Sequence, residues 1–315
     1  ITQPGTPAHS PAPTPQARRE APVDARAPSP PPPPRTVTRP TPAPRRTPND
    51  GGYRLGVDVG GTFTDLLLID EDSGHAFTAK VPSTPDDSSR GVLYGIERIC
   101  AEAGLEPSSI GRVMHGTTVA TNTVLTGNGA LVGLITTKGY KQVLQIARSY
   151  VPGGLGGWVI FNKRDPLAPL ELTIEANERM SALGEVVEPL DEAEMADEIA
   201  KLKGSGVEAL TVSLINAYAN GEHEQRIRSI AEQVMPGIPV SISSEVIPEM
   251  YEYERAETTV VNSYIRPVVS TYIESLEAEL NSRMNGVQLH ILRSDGGLAS
   301  ADAAKEAPVN LLMSG

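Results

Sequence analysis

Gly56-Val57-Asp58-Val59-Gly60-Gly61-Thr62-Phe63-Thr64-Asp65 decides how this chain is read. Leu55, Val57 and Val59 alternate with Gly56 and Asp58, the period of a half-buried strand. Two glycines then turn the chain, and residues 66–69 are expected to form a buried strand. Together the two read as a hairpin. Glycines let backbone N–H groups approach a phosphate with no side chain in the way, and Thr62 and Thr64 add hydroxyl donors. Asp58 lies on the strand face opposite Val57 and Val59, from which its carboxylate can reach a metal ion at the turn. Hard carboxylate oxygen suits Mg²⁺, usually through water. A Gly-Gly hairpin turn beside a solvated aspartate is the competing reading. The acid two places before the glycines, with strands on both sides, favours phosphate binding. The turn is no P-loop, since it carries neither Gly-x4-Gly-Lys-Ser/Thr nor Gly-x-Gly-x-x-Gly.

Outward from this turn, strand and helix patterns alternate. Residues 76–81 read as a third strand. Val92, Ile96, Ile99 and Ala103 sit at helical spacing, and Gly104 stops that helix. Residues 110–114 form a short strand that runs into His115-Gly116-Thr117-Thr118, with a helix to Leu125. Residues 130–136 are a strong apolar strand, and the glycine-rich residues 150–157 read as an exposed loop. Asp191 and Glu194 make a capping-box pattern ahead of Met195, Ile199 and Leu202. Residues 207–215 and 239–243 read as strands around a helix marked by Ile227, Ile230 and Val234. Residues 255–284 are helical, with Pro267 at a break or in the first turn of a second helix. Residues 287–292 form a strand that ends in Ser294-Asp295-Gly296-Gly297. Strands separated by helices predict an α/β fold with a mostly central sheet. The opening hairpin argues against a doubly wound Rossmann start.

Composition divides the 315 residues in two. Residues 1–50 hold 16 of the 28 prolines, seven arginines, three acids and no aromatic residue. Such a stretch cannot bury enough surface to offset its ordering entropy, so 1–50 is expected to be a disordered or polyproline II leader. It reads as a linker or upstream sequence, or alternatively as a targeting or partner-binding arm. The chain carries a net charge of −12, which puts −16 on residues 51–315 and argues against a nucleic-acid face. No apolar run is long enough for a membrane span, and no signal peptide is visible. Cys100 is the single cysteine, so no internal disulfide can form and a cytoplasmic protein is the default expectation. Cys100 shares a helix face with Ile96 and Ile99 and reads as core. His75, His223 and His290 lack metal-ligand spacing and read as structural. Glu254-Arg255 reads as an ion pair at a helix start.

At 56–65 the chain resembles the first phosphate motif of the actin/Hsp70/sugar-kinase ATPase superfamily. More narrowly it is similar to the hydantoinase A family, which includes N-methylhydantoinase alpha-type subunits, 5-oxoprolinase and related ketone-carboxylase subunits. The likeness continues through residues 115–122, Ile135-Thr136-Thr137-Lys138-Gly139-Tyr140, residues 213–220, Ser244-Glu245-Val246-Ile247-Pro248-Glu249, Glu252-Tyr253-Glu254-Arg255, Ser294-Asp295-Gly296-Gly297-Leu298 and residues 312–315. Blocks in one order over 51–315 are far more specific than any one of them. For 115–122 two readings stand: a helix cap built on Thr117 or Thr118 with His115 packed nearby, or a site in which His115, Thr117 and Thr118 contact phosphate or substrate. The resemblance favours the site. Asp295-Gly296-Gly297 stays open between a turn and an active-site loop.

The resemblance implies an actin-like, ribonuclease H-like α/β ATPase fold with helices on both sheet faces. The division it implies is 1–50 leader, 51–245 N-terminal domain and 246–315 start of a core domain. It implies ATP and Mg²⁺ as cofactors, with Gly60, Gly61, Thr62, Thr64, Thr117 and Thr118 on phosphate and Asp58 on the metal or attacking oxygen. Asp58 and His115 are the candidate catalytic residues. The implied reaction is ring opening of a cyclic amide through phosphorylation of its carbonyl. A ketone carboxylase and a nucleotide-responsive module without turnover are the alternatives. The implied partners are a small cyclic amide and a hydantoinase B-type subunit or fused domain, in an oligomer, with no nucleic acid and no membrane. Such ATPases carry a second Asp-x-Gly-Gly-Thr motif and an adenosine motif. Neither occurs in these 315 residues, so they are expected to represent an N-terminal part.

Overall fold

A computed structural model describes residues 52–84, 88–148, 163–284 and 286–313. The leader 1–50, the glycine-rich loop 150–157 and Ser314-Gly315 lie outside the described residues.

β1 (Tyr53–Val59) buries Leu55, Val57 and Val59 and leaves Asp58 exposed. β2 (Phe63–Asp70) returns antiparallel beside it, completing the expected hairpin. It is not the buried run expected at 66–69. Leu66 and Leu68 are buried, but Leu67 between them is 42 % exposed, because no helix of the described residues covers that face. β3 (Ala76–Pro82) extends the hairpin. α1 (Ser88–Ala103) then lays Val92, Ile96, Ile99 and Cys100 on the buried face. Burial pushes the Cys100 thiol pKa up, as suits a core thiol. β4 (Ile110–Thr117) runs parallel to β1, and α2 (Val119–Thr126) follows, ending at Gly127 with φ 73.

A second sheet comes next. Its strands are β5 (Val132–Thr137), β6 (Thr173–Ala176), β9 (Ala209–Ser213) and β10 (Val240–Ile242), all parallel in the order β10-β9-β5-β6. Every residue of β5 and β9 is buried, as parallel strands covered on both faces require. Between the strands lie α3 (Val143–Ile146), a small hairpin of β7 (Arg179–Met180) and β8 (Val186–Glu188), α4 (Glu192–Leu202) and α5 (Glu222–Val234). Asp191 caps α4 by accepting from the Glu194 amide at 3.0 Å. α4 and α5 cover one face of this sheet. After α6 (Ser243–Val246) comes α7 (Glu252–Arg283), which covers the other. β11 (Gln288–Leu292), β12 (Leu298–Ser300) and α8 (Ala301–Glu306) complete the chain. β11 pairs with β4, so the first sheet runs β12-β11-β4-β1-β2-β3. The α/β fold is therefore built on two main sheets rather than one central one.

Two further expectations are corrected. Pro267 neither breaks nor starts a helix, since α7 runs through it for 32 residues. Val260 and Ile265 before it and Val269 and Ile273 after it are all buried, and the Ser263 hydroxyl donates to Leu210 O at 3.2 Å. Packing on both sides outweighs the lost N–H. Glu254 and Arg255 do not pair, because neighbours in a helix point apart. Glu254 binds Arg148, while Arg255 is buried and donates to the carbonyls of Leu214 and Glu249. No helix among the described residues is long and apolar enough to cross a membrane.

Candidate functional site

The site is built from two adjacent strand ends. β1 and β4 run in parallel register, with Asp58 beside Gly116 and Val59 beside Thr117. Asp58 therefore has a glycine as its neighbour on one side and Asp65 of β2 on the other. Asp65 is paired with Lys80 at 2.9 Å. Asp58 is exposed and makes no hydrogen bond or ion pair among the described residues. An open groove of about 880 Å³ runs along this face, floored by Gly56, Gly116, Leu67 and Met114.

The turn after Asp58 is held firmly. Gly60 N donates to Phe63 O at 3.0 Å, Ser83 N donates to Thr62 O at 2.9 Å, and the Ser83 hydroxyl donates to Gly60 O at 2.7 Å. A Cβ on Gly60 would lie 3.1 Å from Phe63 O, so this position has little room for a side chain, whereas Gly61 faces open space. The amides of Gly61 and Thr62 have no partner among the described residues, and both residues are exposed. Two open N–H groups beside an unpaired carboxylate suit an anion bridged by a hard cation. These residues fit ATP phosphates and Mg²⁺ by donor chemistry. No group of three or more His, Cys, Asp or Glu side chains among the described residues could hold a metal. The cation would need phosphate and water oxygens to complete its shell.

The other expected site residues are placed differently. Thr64 is buried, with its hydroxyl 3.0 Å from that of Ser83. That contact ties it to Ser83, whose hydroxyl holds the turn at Gly60 O. Thr118 does stand beside the turn, and its hydroxyl donates to Val59 O at 3.3 Å. Thr117 is buried and accepts from Val119 N at 3.3 Å. Thr118 occupies the N-cap of α2 without a side-chain capping bond. His115 lies on the inner face of β4. It is fully buried, on the face opposite Asp58, and its Nε2 lies 2.6 Å from the Tyr272 hydroxyl of α7. Nδ1 has no hydrogen-bond partner. Burial pushes the imidazole pKa down to about 4, and the nearby Val57 backbone, outside bonding geometry for Nδ1, opposes that only in part. The imidazole is thus neutral at pH 7, and its contact with Tyr272 joins β4 to α7. Its place in the strand alternation, in register with buried Val57, was the signal available for this.

Asp295-Gly296-Gly297 forms a closed turn. Asp295 accepts from Gly297 N at 2.9 Å and binds Arg293 at 2.8 Å, and Gly296 takes φ 81. Ser83 was not singled out in the sequence, since nothing local marks it. The same holds for Glu178, which is buried and binds both the Thr137 hydroxyl and His223 Nδ1, the latter at 2.8 Å.

Comparison with known proteins agrees with this architecture. A family model described as the hydantoinase/oxoprolinase N-terminal region matches residues 54–235, and a hydantoinase/oxoprolinase model matches 255–315. The caprolactamase alpha subunit of Pseudomonas jessenii is 33 % identical over 267 residues, 84 % of this chain and 38 % of that protein. The structure of the ATP-dependent caprolactamase from that organism superposes with a TM-score of 0.72 at 32 % identity, over 82 % of this chain and 38 % of that one. The acetophenone carboxylase gamma subunit of Aromatoleum aromaticum is 31 % identical over 82 % of this chain and 37 % of its own. A nucleotide-free acetone carboxylase structure gives a TM-score of 0.74 at 26 % identity, over 83 % of this chain and 38 % of that one. The chain thus spans well under half the length of these relatives. With both models matched in order over the described fold, the chain belongs to the hydantoinase/oxoprolinase family of the actin-like ATPase superfamily.

Proposed function

We propose that this chain supplies the first phosphate-binding half of an ATP-dependent cyclic-amide hydrolase, opening a hydantoin, 5-oxoproline or other lactam ring. The observation that carries the reading is Asp58. It is an exposed, unpartnered carboxylate before a two-glycine turn, with Gly116 leaving space at its side. Asp58 would hold Mg²⁺, mainly through water. The Gly61 and Thr62 amides and the Thr62 hydroxyl would take phosphate oxygens, with Thr118 at the edge of the same turn. Amide resonance makes such a ring resist water, and bound ATP would supply the phosphoryl group that activates its carbonyl oxygen. The chain's own part is positioning and charge stabilisation. Ser83 and Thr64 fix the turn from below, and His115 holds β4 to α7 as a neutral brace.

A ketone carboxylase is the second reading, supported by the likeness to the acetophenone and acetone carboxylases. The subunit names of the relatives support the expectation of a partner chain, and the family resemblance makes a hydantoinase B-type subunit or fused domain the candidate. The test is substrate-dependent ATP hydrolysis by the full-length protein. Stimulation by hydantoin, 5-oxoproline or a lactam supports the hydrolase. Stimulation only by acetone or acetophenone with bicarbonate would replace it with the carboxylase.

A further inference from the structure

Gly116 of β4, Asp58 of β1, Asp65 of β2 and Lys80 of β3 form one row across the first sheet, each in register with the next. Asp58, Asp65 and Lys80 are exposed on the same face and border the groove beside the phosphate turn. Side chains directly opposite each other on antiparallel strands stand about 4.5–5.5 Å apart at Cβ. Asp65 is therefore close enough to Asp58 for the two carboxylates to share one divalent cation. A free pair so placed attracts a bare cation and repels the phosphates of a nucleotide. Lys80 neutralises one member of the pair. Its Nζ lies 3.0 and 2.9 Å from the two Asp65 carboxylate oxygens. The same ammonium lies 5.0 Å from the centroid of the Phe63 ring, which helps to hold it there. Arg98, another cation on this groove, is taken by Glu102 at 3.0 Å and by the Lys80 carbonyl at 3.2 Å. An exposed ion pair contributes little to stability. The consequence of the Lys80–Asp65 pair lies instead in the charge it leaves beside the turn.

We infer that Lys80 sets the cation selectivity of the phosphate turn. By neutralising Asp65 it leaves Asp58 as the one open carboxylate of the row. A single carboxylate holds a bare divalent cation weakly in water, and suits a cation that arrives on nucleotide phosphate. Lys80 is then a positioning residue that acts through Asp65. The nucleotide half of this inference rests on the proposed function, whereas the row of charges does not.

The test compares the full-length wild type with Lys80→Met, Lys80→Arg and the double variant K80M/D65N. Mn²⁺ binding without nucleotide is read by EPR. Binding of Mg²⁺ with a non-hydrolysable ATP analogue is read by calorimetry at low and high salt. The inference expects K80M to bind bare Mn²⁺ about ten-fold more tightly than the wild type, and the nucleotide analogue about ten-fold more weakly at low salt. The nucleotide difference should shrink at high salt, where exposed charges are screened. K80R should match the wild type in both measurements, and K80M/D65N should lose the extra Mn²⁺ affinity. Unchanged Mn²⁺ binding in K80M, extra Mn²⁺ affinity that survives in K80M/D65N, or a nucleotide loss indifferent to salt would overturn it. A wild type that binds no nucleotide analogue would sink the proposed function, and the Mn²⁺ comparison would then decide the role of Lys80 by itself. Nucleotide binding in the wild type with equal Mn²⁺ affinity in K80M would sink the role of Lys80 and keep the proposed function.

Discussion

Asp58 on β1 stands directly opposite Asp65 on β2, two carboxylates on one exposed sheet face. Lys80 answers only Asp65, at 2.9 Å. Like charges opposite each other across antiparallel strands weaken a sheet, so this arrangement works against stability where a bound cation would relieve it.

Replacing Asp58 by Asn should therefore separate stability from function. The repulsion disappears and no partner is lost, so the thermal midpoint should stay level or rise slightly. ATP turnover of the full-length protein should fall by about 100-fold or more, the scale of losing one preorganised electrostatic group. Calorimetry and phosphate release check the two halves. A variant that melts early would mean that Asp58 is structural.

His115 makes stability depend on pH. Its folded pKa of about 4 lies below the ordinary value of 6.5, so the unfolded chain takes up the proton first. Stability is whole above about pH 6.5 and is lost as pH falls from there towards 4. The full gap corresponds to roughly 3 kcal/mol, and by pH 5 about 2 kcal/mol of it should be gone. His115→Gln keeps a polar group near Tyr272 without the titration. Urea melts at pH 7.5 and 5.0 should show a smaller drop for H115Q than for the wild type. Equal drops would place the pH dependence elsewhere.

Arg255 is 1 % exposed, and its guanidinium serves Ser243, Glu249 and Leu214. Beside it, Glu224 is enclosed, with its pKa pushed up chiefly by burial while the Ser243 hydroxyl and the Leu214 and Ser244 amides pull the other way. Arg255→Met should cost about 3–5 kcal/mol in urea melts, because it strands buried polar groups. Arg255→Lys should also destabilise, since a single ammonium cannot reproduce the planar fork. A cost under about 1 kcal/mol for R255M would show that the network is slack.

The hairpin, the capped helix α4 and the buried strands β5 and β9 were legible because period, glycines and caps agreed over several residues. The strands β6, β7 and β8, of four, two and three residues, are too short to show a period. Of the candidate site, the exposed placement of Asp58 before the glycine turn was legible because strand alternation fixes which face Asp58 takes. Thr64 and His115 follow the same alternation, which turns both inward, and their polar character masked that. Ser83 and Glu178 reach their partners only through the tertiary fold.

The most direct measurement is phosphate release by the full-length protein with Mg·ATP, with and without a cyclic amide, in the wild type and in D58N. Amide-dependent release in the wild type that vanishes in D58N is the expected result. Amide-dependent release that persists at full rate in D58N would contradict the placement of the phosphate and metal site at this turn.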